Sequence, residues 1–240
     1  MADVLLRRFL FFNLSYSRKC IILKALRGGF ATEASSNVDL LSNVSFLTND
    51  CTIEELEAVQ DMVSGNLEVH ENFVSEEEED RLIKEVEPYL KTQKYQFDHW
   101  DGAIKGYRET EKSRWTDDCL RVFKRMRDTS FKPNTKLLSH VHVLDLDGNG
   151  YIKPHIDSVK FCGPTIAGLS LLSSSVMRLI HEKYSSVTVD LLLPRRSMYI
   201  LRDSIRYEFT HEVLEDKTSR WKGEHIPRDR RISVILRCQP

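Results

Sequence analysis

Arg231-Ile232-Ser233-Val234-Ile235-Leu236-Arg237 is the stretch on which the fold reading turns. Its two arginines are six residues apart. On a regular strand an even spacing puts both on one face, while Ile232, Val234 and Leu236 take the other. Two arginines turned toward an interior need anionic partners, because an unpaired buried charge is costly. A small-molecule carboxylate and Asp157 are the candidates.

Upstream of this strand, short β-prone runs follow one another: Leu138–Leu146, Thr165–Leu172, Val176–His181, Val187–Leu193, Met198–Leu201 and Tyr207–Val213. Turn signals separate them, among them Asp147-Gly148-Asn149-Gly150 and Cys162-Gly163-Pro164. Strands of this length and spacing predict a sandwich or barrel such as a jelly roll. The helical signals lie on the N-terminal side. Thr52 with Glu55 and Ser75 with Glu78 are capping boxes, opening helices that run to about Ser64 and Lys91. The acidic run Glu76–Asp80 reads as a solvated first turn at the positive end of the helix dipole. A third helix is expected at Asp117–Asp128, with Leu120, Phe123 and Met126 inward. The class expected is mainly β with flanking α, the N-terminal helices packed on one face of the β core.

His155-Ile156-Asp157 follows the glycine-rich turn, where pairing can resume. Residues i and i+2 of a strand share a face, so an imidazole and a carboxylate can address one metal ion. His211 lies 54 residues beyond Asp157, in another β-prone segment. Two imidazoles and one carboxylate on one face of an octahedron leave three positions open, the ligand set of non-haem Fe(II) oxygenases. A bidentate 2-oxo acid and dioxygen need those positions. The distal carboxylate of 2-oxoglutarate would need an anchor, and the planar fork of Arg231 suits it better than a lysine. His-x-Asp alone is a weak signal; the ordered set through Arg231 and Arg237 on β-rich sequence is specific.

These motifs resemble the AlkB-homologue family of Fe(II)- and 2-oxoglutarate-dependent dioxygenases, and its mitochondrial branch in particular. The likeness rests on His155–Gly163, Thr165–Leu172, Tyr199–Arg202 and Arg231–Arg237, and spans about Asn72 to Pro240. It implies a double-stranded β-helix (jelly-roll) core, Fe(II) at His155, Asp157 and His211, and Arg231 and Arg237 lining the 2-oxoglutarate end of the pocket. It also implies Tyr199 as a hydrogen-bond donor to 2-oxoglutarate, with O2 as the second co-substrate. The resemblance further implies links to fatty-acid metabolism and regulated necrosis. One departure stands out. Nucleic-acid repair members carry an Asn-x-Tyr eleven and nine residues before the first histidine; here Leu144 and Leu146 stand there. No long basic and aromatic lid of the kind that holds a flipped base precedes the barrel. A protein substrate is therefore expected ahead of RNA or DNA N-demethylation, in a monomeric enzyme.

Composition sets the frame. The 240 residues, 41% hydrophobic, suffice for one well-cored domain. No apolar run approaches the roughly 20 residues a bilayer span needs. Five scattered cysteines without a C-x-x-C pair argue against structural zinc and a disulfide framework. Residues 1–34 are Arg-bearing and poor in acids, the composition of a mitochondrial transit peptide addressed to the matrix; a secretory signal centred on Leu5–Leu14 is the competing reading, weakened by Arg7 and Arg8. Residues 35–66 read as a linker and N-terminal helix, and 67–240 as the dioxygenase domain. Setting aside the six basic and two acidic residues of 1–35 leaves 29 basic against 34 acidic, which gives no support for strong nucleic-acid binding. His140-Val141-His142 invites a cupin reading, but no glutamate follows closely, and a structural role is expected. Trp100, Tyr107, Trp115 and Trp221 read as packing or rim aromatics, Asn149-Gly150-Tyr151 as a tight turn, and Cys162 as a small buried hydrophobe.

Overall fold

The computed structural model describes residues 42–97 and 102–240. The transit-peptide reading of 1–34 and the candidate Trp100 lie outside these residues. The fold is mixed α/β: a curled antiparallel sheet, jelly-roll-like, with helices from the N-terminal half packed against it.

The strands are β1 (Val44–Thr48), β2 (Leu67–His70), β3 (Ile104–Lys112), β4 (Val141–His155), β5 (Thr165–Leu171), β6 (Ser175–His181), β7 (Val187–Leu193), β8 (Ser197–Arg202), β9 (Phe209–Val213), β10 (Arg220–Trp221), β11 (Glu224–His225) and β12 (Arg231–Arg237). The large sheet runs β1-β7-β6-β9-β4-β12-β5-β8-β2, and β3 pairs with β4. β4 belongs to both halves of the curl. Its first part pairs with β12 through Leu146↔Arg231 and Leu144↔Ser233. Its last part pairs with β9 through Ile152↔Val213 and His155↔His211.

Alternation along β12, β5 and β8 sorts the side chains into two cores. Ile232, Val234, Leu236, Ala167, Leu169, Leu171, Met198 and Ile200 pack with Leu82, Val86, Leu90, Val122 and Met126 of the helices. The opposite face carries Arg231, Ser233, Arg237, Gly168, Ser170 and Tyr199 toward the inside of the curl, as the spacing of the two arginines predicts. Leu144 and Leu146 share that inner face and are buried.

Helices α1 (Ile53–Asn66) and α2 (Glu76–Leu90) both begin at the expected capping boxes. α3 spans Asp117–Ser130 and a short α4 Asp203–Glu208. Several expectations need correction. Leu120 is exposed; Cys119, Val122, Phe123 and Met126 form the buried stripe of α3. The acidic run is not wholly solvated. Glu79 is fully buried, accepting from the Leu172 backbone N–H at 2.7 Å and from Arg195 Nε at 2.8 Å. Residues 44–48, read as linker, form β1 on β7. Tyr207 and Glu208 belong to α4 rather than to a strand.

The turn expected at Asp147–Gly150 does not form: β4 runs through it. The left-handed conformation is taken by Gly106 on β3 (φ 63°), not by Asn149 or Gly150. A Cβ on Gly150 would lie 2.5 Å from the Gly106 carbonyl oxygen, so Gly150 serves the close approach of two backbones.

Candidate metal and co-substrate site

His155 ends β4, and His211 is its cross-strand partner on β9. Asp157 lies two residues past the strand, on the loop that follows, rather than on the strand itself as the i, i+2 argument supposed. The three side chains still converge. One ligand atom from each lies within 4.8 Å of the others. His155 Nε2 is 3.4 Å, and His211 Nε2 3.7 Å, from Asp157 Oδ1.

Their placement suits a divalent metal. His155 Nδ1 is 3.0 Å from the Lys153 carbonyl oxygen. A carbonyl only accepts, so Nδ1 is the donor there, and Nε2 is the ring nitrogen turned to Asp157. Burial, with His155 next in weight, lowers the His211 pKa to about 3, so it is neutral. Burial opposes ionisation of Asp157, but the hydrogen bond with His155 and the charge of Arg237 outweigh it and hold the carboxyl well below its usual range. Two imidazoles and one carboxylate at this spacing are consistent with the facial set of a non-haem Fe(II) oxygenase.

Arg237 reaches the cluster directly. Its Nε donates to Asp157 Oδ2 at 3.0 Å, the pairing expected from sequence, and its Nη1 meets His142 Nδ1 at 3.0 Å. His142 Nε2 in turn is 2.9 Å from Glu109 Oε2. His142 is therefore no cupin ligand but a brace behind Arg237; His140 is exposed and bonds Ser139.

Arg231 sits deeper, 1% exposed. Nε donates to Ser170 Oγ at 3.0 Å, and the fully buried Nη2 has no partner. No carboxylate among the described residues pairs with it. Burial lowers its pKa, opposed by the neighbouring Tyr199 hydroxyl. Burial also pushes the Tyr199 phenol up, which keeps it protonated and able to donate. A buried cation with an idle donor and a phenol beside it is what the distal carboxylate of 2-oxoglutarate requires.

Sequence reasoning passed over three contributors. Ser170 holds Arg231. Gly168 makes room for Tyr199: a Cβ there would lie 2.4 Å from its Cζ. Arg206 sits buried beside the loop after Asp157. The alternation of Thr165–Leu171 would have put Gly168 and Ser170 inside, but nothing in it marked them as polar contacts. Of the aromatics, Tyr107 is buried and Trp115 packs edge-on against Phe123 at 4.8 Å, while Trp221 lies on the β10–β11 hairpin. Cys162 is buried as expected, with its thiol pKa raised first by burial.

A curled sheet carrying this cluster is consistent with a 2-His-1-carboxylate oxygenase of jelly-roll type. No family model matches the chain. It is 57% identical over 173 residues to the alpha-ketoglutarate-dependent dioxygenase alkB homolog 7, mitochondrial, of Mus musculus, covering 72% of this chain and 78% of the relative. The same protein of Bos taurus is 54% identical over 172 residues, with the same coverage. Among solved structures, a Pseudomonas putida prolyl-4-hydroxylase superposes with a TM-score of 0.51 at 13% identity, over 77% of this chain and 98% of that one, a likeness of fold alone. The chain belongs to the AlkB-homologue family of alpha-ketoglutarate-dependent dioxygenases, alongside the mitochondrial alkB homolog 7 proteins. It is accordingly a mitochondrial Fe(II)- and 2-oxoglutarate-dependent oxidoreductase.

Proposed function

We propose that His155, Asp157 and His211 hold the Fe(II), that Arg231 and Tyr199 receive the distal carboxylate of 2-oxoglutarate, and that the enzyme hydroxylates a protein in the mitochondrial matrix. When bound, iron and 2-oxoglutarate supply oxygen activation, with one atom of O2 leaving in succinate, alongside CO2, and the other entering a substrate C–H bond. The chain's own residues prepare for this. Arg237 keeps Asp157 ionised and oriented, the Lys153 carbonyl orients the His155 ring, and Ser170 fixes Arg231.

The observation that carries the substrate class is the pair Leu144 and Leu146. Both are buried on the inner wall, opposite Ser233 and Arg231, where the repair-type pattern places Asn and Tyr. The pocket is thus furnished differently from the nucleic-acid enzymes. The excess of acidic residues beyond residue 35 also disfavours phosphate backbones as partners.

The test compares 2-oxoglutarate consumption with no prime substrate, with methylated single-stranded DNA and RNA oligonucleotides at physiological salt, and with denatured matrix protein. Stimulation by protein, with new +16 Da residues by mass spectrometry, is expected. Efficient, sequence-dependent oligonucleotide demethylation would overturn the protein-hydroxylase reading in favour of an N-demethylase.

A further inference from the structure

We infer that Arg206 is a positioning residue for the metal site, clamping the chain that follows Asp157 to the chain that precedes His211. The inference rests on the reading of those two residues as metal ligands. Arg206 is 2% exposed and lies on α4, five residues before His211, with β9 beginning at the fully buried Phe209 between them. The hydrogen bonds it makes all go to the loop after Asp157. Nε donates to the Gly163 carbonyl at 3.3 Å; Nη2 is 3.2 Å from the carbonyls of Ser158 and Cys162 and 3.0 Å from Cys162 Sγ.

Outside Arg206, the loop is tied at its ends, where Arg237 holds Asp157 and the Gly163 N–H donates to the Cys238 carbonyl at 2.8 Å, and its middle is held less. Val159 and Phe161 are 56% and 74% exposed, so Cys162 is its one deeply buried hydrophobe. The bonds within it converge on a single acceptor, the Ser158 carbonyl, which takes the N–H groups of Phe161 and Cys162 and the Cys162 thiol. Arg206 donates to that same oxygen, next to Asp157 in the chain. No carboxylate among the described residues pairs with Arg206, and its buried Nη1 has no partner. A cation buried without an anion is expensive. Here the guanidinium fork joins three carbonyls and a thiol of one loop. A lysine presents one nitrogen and cannot span them. The rigid fork thereby sets where Asp157 stands relative to His211, which a packed apolar residue would not do. Groups that orient metal ligands typically carry about 10- to 100-fold in metal affinity.

The experiment uses the full chain with Arg206→Lys, Arg206→Met and Asp157→Ala, each titrated with Mn(II) and followed by amide hydrogen exchange. Both Arg206 variants should bind Mn(II) about 10-fold or more weakly, the lysine variant as poorly as the methionine one. Exchange should rise in residues 158–163 while β5 and β12 keep the protection of the parent. Mn(II) affinity within twofold of the parent in either Arg206 variant overturns the clamp, and so does a loss of protection spread equally through β5 and β12. If Asp157→Ala also binds like the parent, the ligand assignment itself falls, and the clamp with it.

Discussion

Arg231 Nε donates to Ser170 Oγ across neighbouring strands at 3.0 Å, and both side chains are buried inside the curl. The bond satisfies one edge of the guanidinium and leaves Nη2 without a partner, and no carboxylate among the described residues pairs with Arg231. For the proposed role of Arg231 as the 2-oxoglutarate anchor, its geometry should therefore matter more than its charge.

Arg231→Lys is therefore expected to be a severe change. Lysine keeps the charge but loses the planar pair of donors. Loss of one charge-assisted hydrogen bond in a buried pocket costs about 1.5–3 kcal/mol, roughly 10- to 150-fold in 2-oxoglutarate affinity. Mn(II) binding should survive, since the cluster of His155, Asp157 and His211 is separate. Titration of 2-oxoglutarate into Mn(II)-loaded protein measures this; parent-like affinity would move the anchor elsewhere.

Gly168→Ala tests the seat of Tyr199. The new Cβ would meet the ring at 2.4 Å. The ring must shift, at about 1–3 kcal/mol of stability, and its hydroxyl leaves Arg231. Gly168→Ala should thus lower both the thermal midpoint and 2-oxoglutarate affinity. Tyr199→Phe should lower the affinity while largely sparing the midpoint. If both variants behave alike in both measurements, the glycine is not there for the ring.

Glu79 anchors the helical layer to the sheet. Leu172, whose N–H it accepts, has φ 72°, a conformation an L residue adopts only when its surroundings impose it. Glu79→Ala strands that N–H in a buried position, costing about 1–3 kcal/mol; the half-exposed Arg195 turns to water and adds little. Glu79→Gln keeps an acceptor and should cost less. The order of urea midpoints, parent above Gln above Ala, is the readout.

The described thiols should separate by accessibility in the native protein. Cys119 is 1% exposed, and burial pushes its thiol up to about 11. Its thiolate fraction at pH 8 is then on the order of 0.1%. Cys51, partly exposed beside the start of α1, should alkylate with iodoacetamide well before Cys119, and labelling of Cys119 should accelerate as pH climbs toward 11. Equal rates at pH 8, read by peptide mapping, would contradict this.

The grouping of the candidate residues was legible in part, though Asp157 reaches the cluster from the loop after β4 and not by strand periodicity. Arg231 and Arg237 share a strand face, and the convergence of His155, Asp157 and His211 needed only short segments in the right order. The supporting parts were not legible, for definite reasons. β3, Ile104–Lys112, is charged at Lys105, Arg108, Glu109, Glu111 and Lys112, and only Gly106 and Tyr107 of it are buried, which hides its strand pattern. Asp147–Gly150 carries the residues of a hairpin turn, yet its glycines serve contact between backbones. Glu79 sits in an acidic run whose solvated reading is sufficient until the Leu172 N–H is known to need an acceptor. Arg206 belongs to a six-residue helix that no periodicity announces. What sequence withheld were contacts between distant segments.

β4 carries Leu144 and Leu146 to one end of the pocket and His155 to the other, with an odd spacing between Leu146 and His155. Strict alternation would send these two to opposite faces. The pairing with β3 shifts between them, Lys105 meeting Tyr151 while Tyr107 meets Leu146, and the pairing with β9 shifts again between Ile152 and His155. These irregularities let one strand furnish both ends of the pocket. The length of chain from Leu146 to His155 is therefore as strict a requirement as the identity of the ligands: one residue inserted or removed there would turn His155 away from His211.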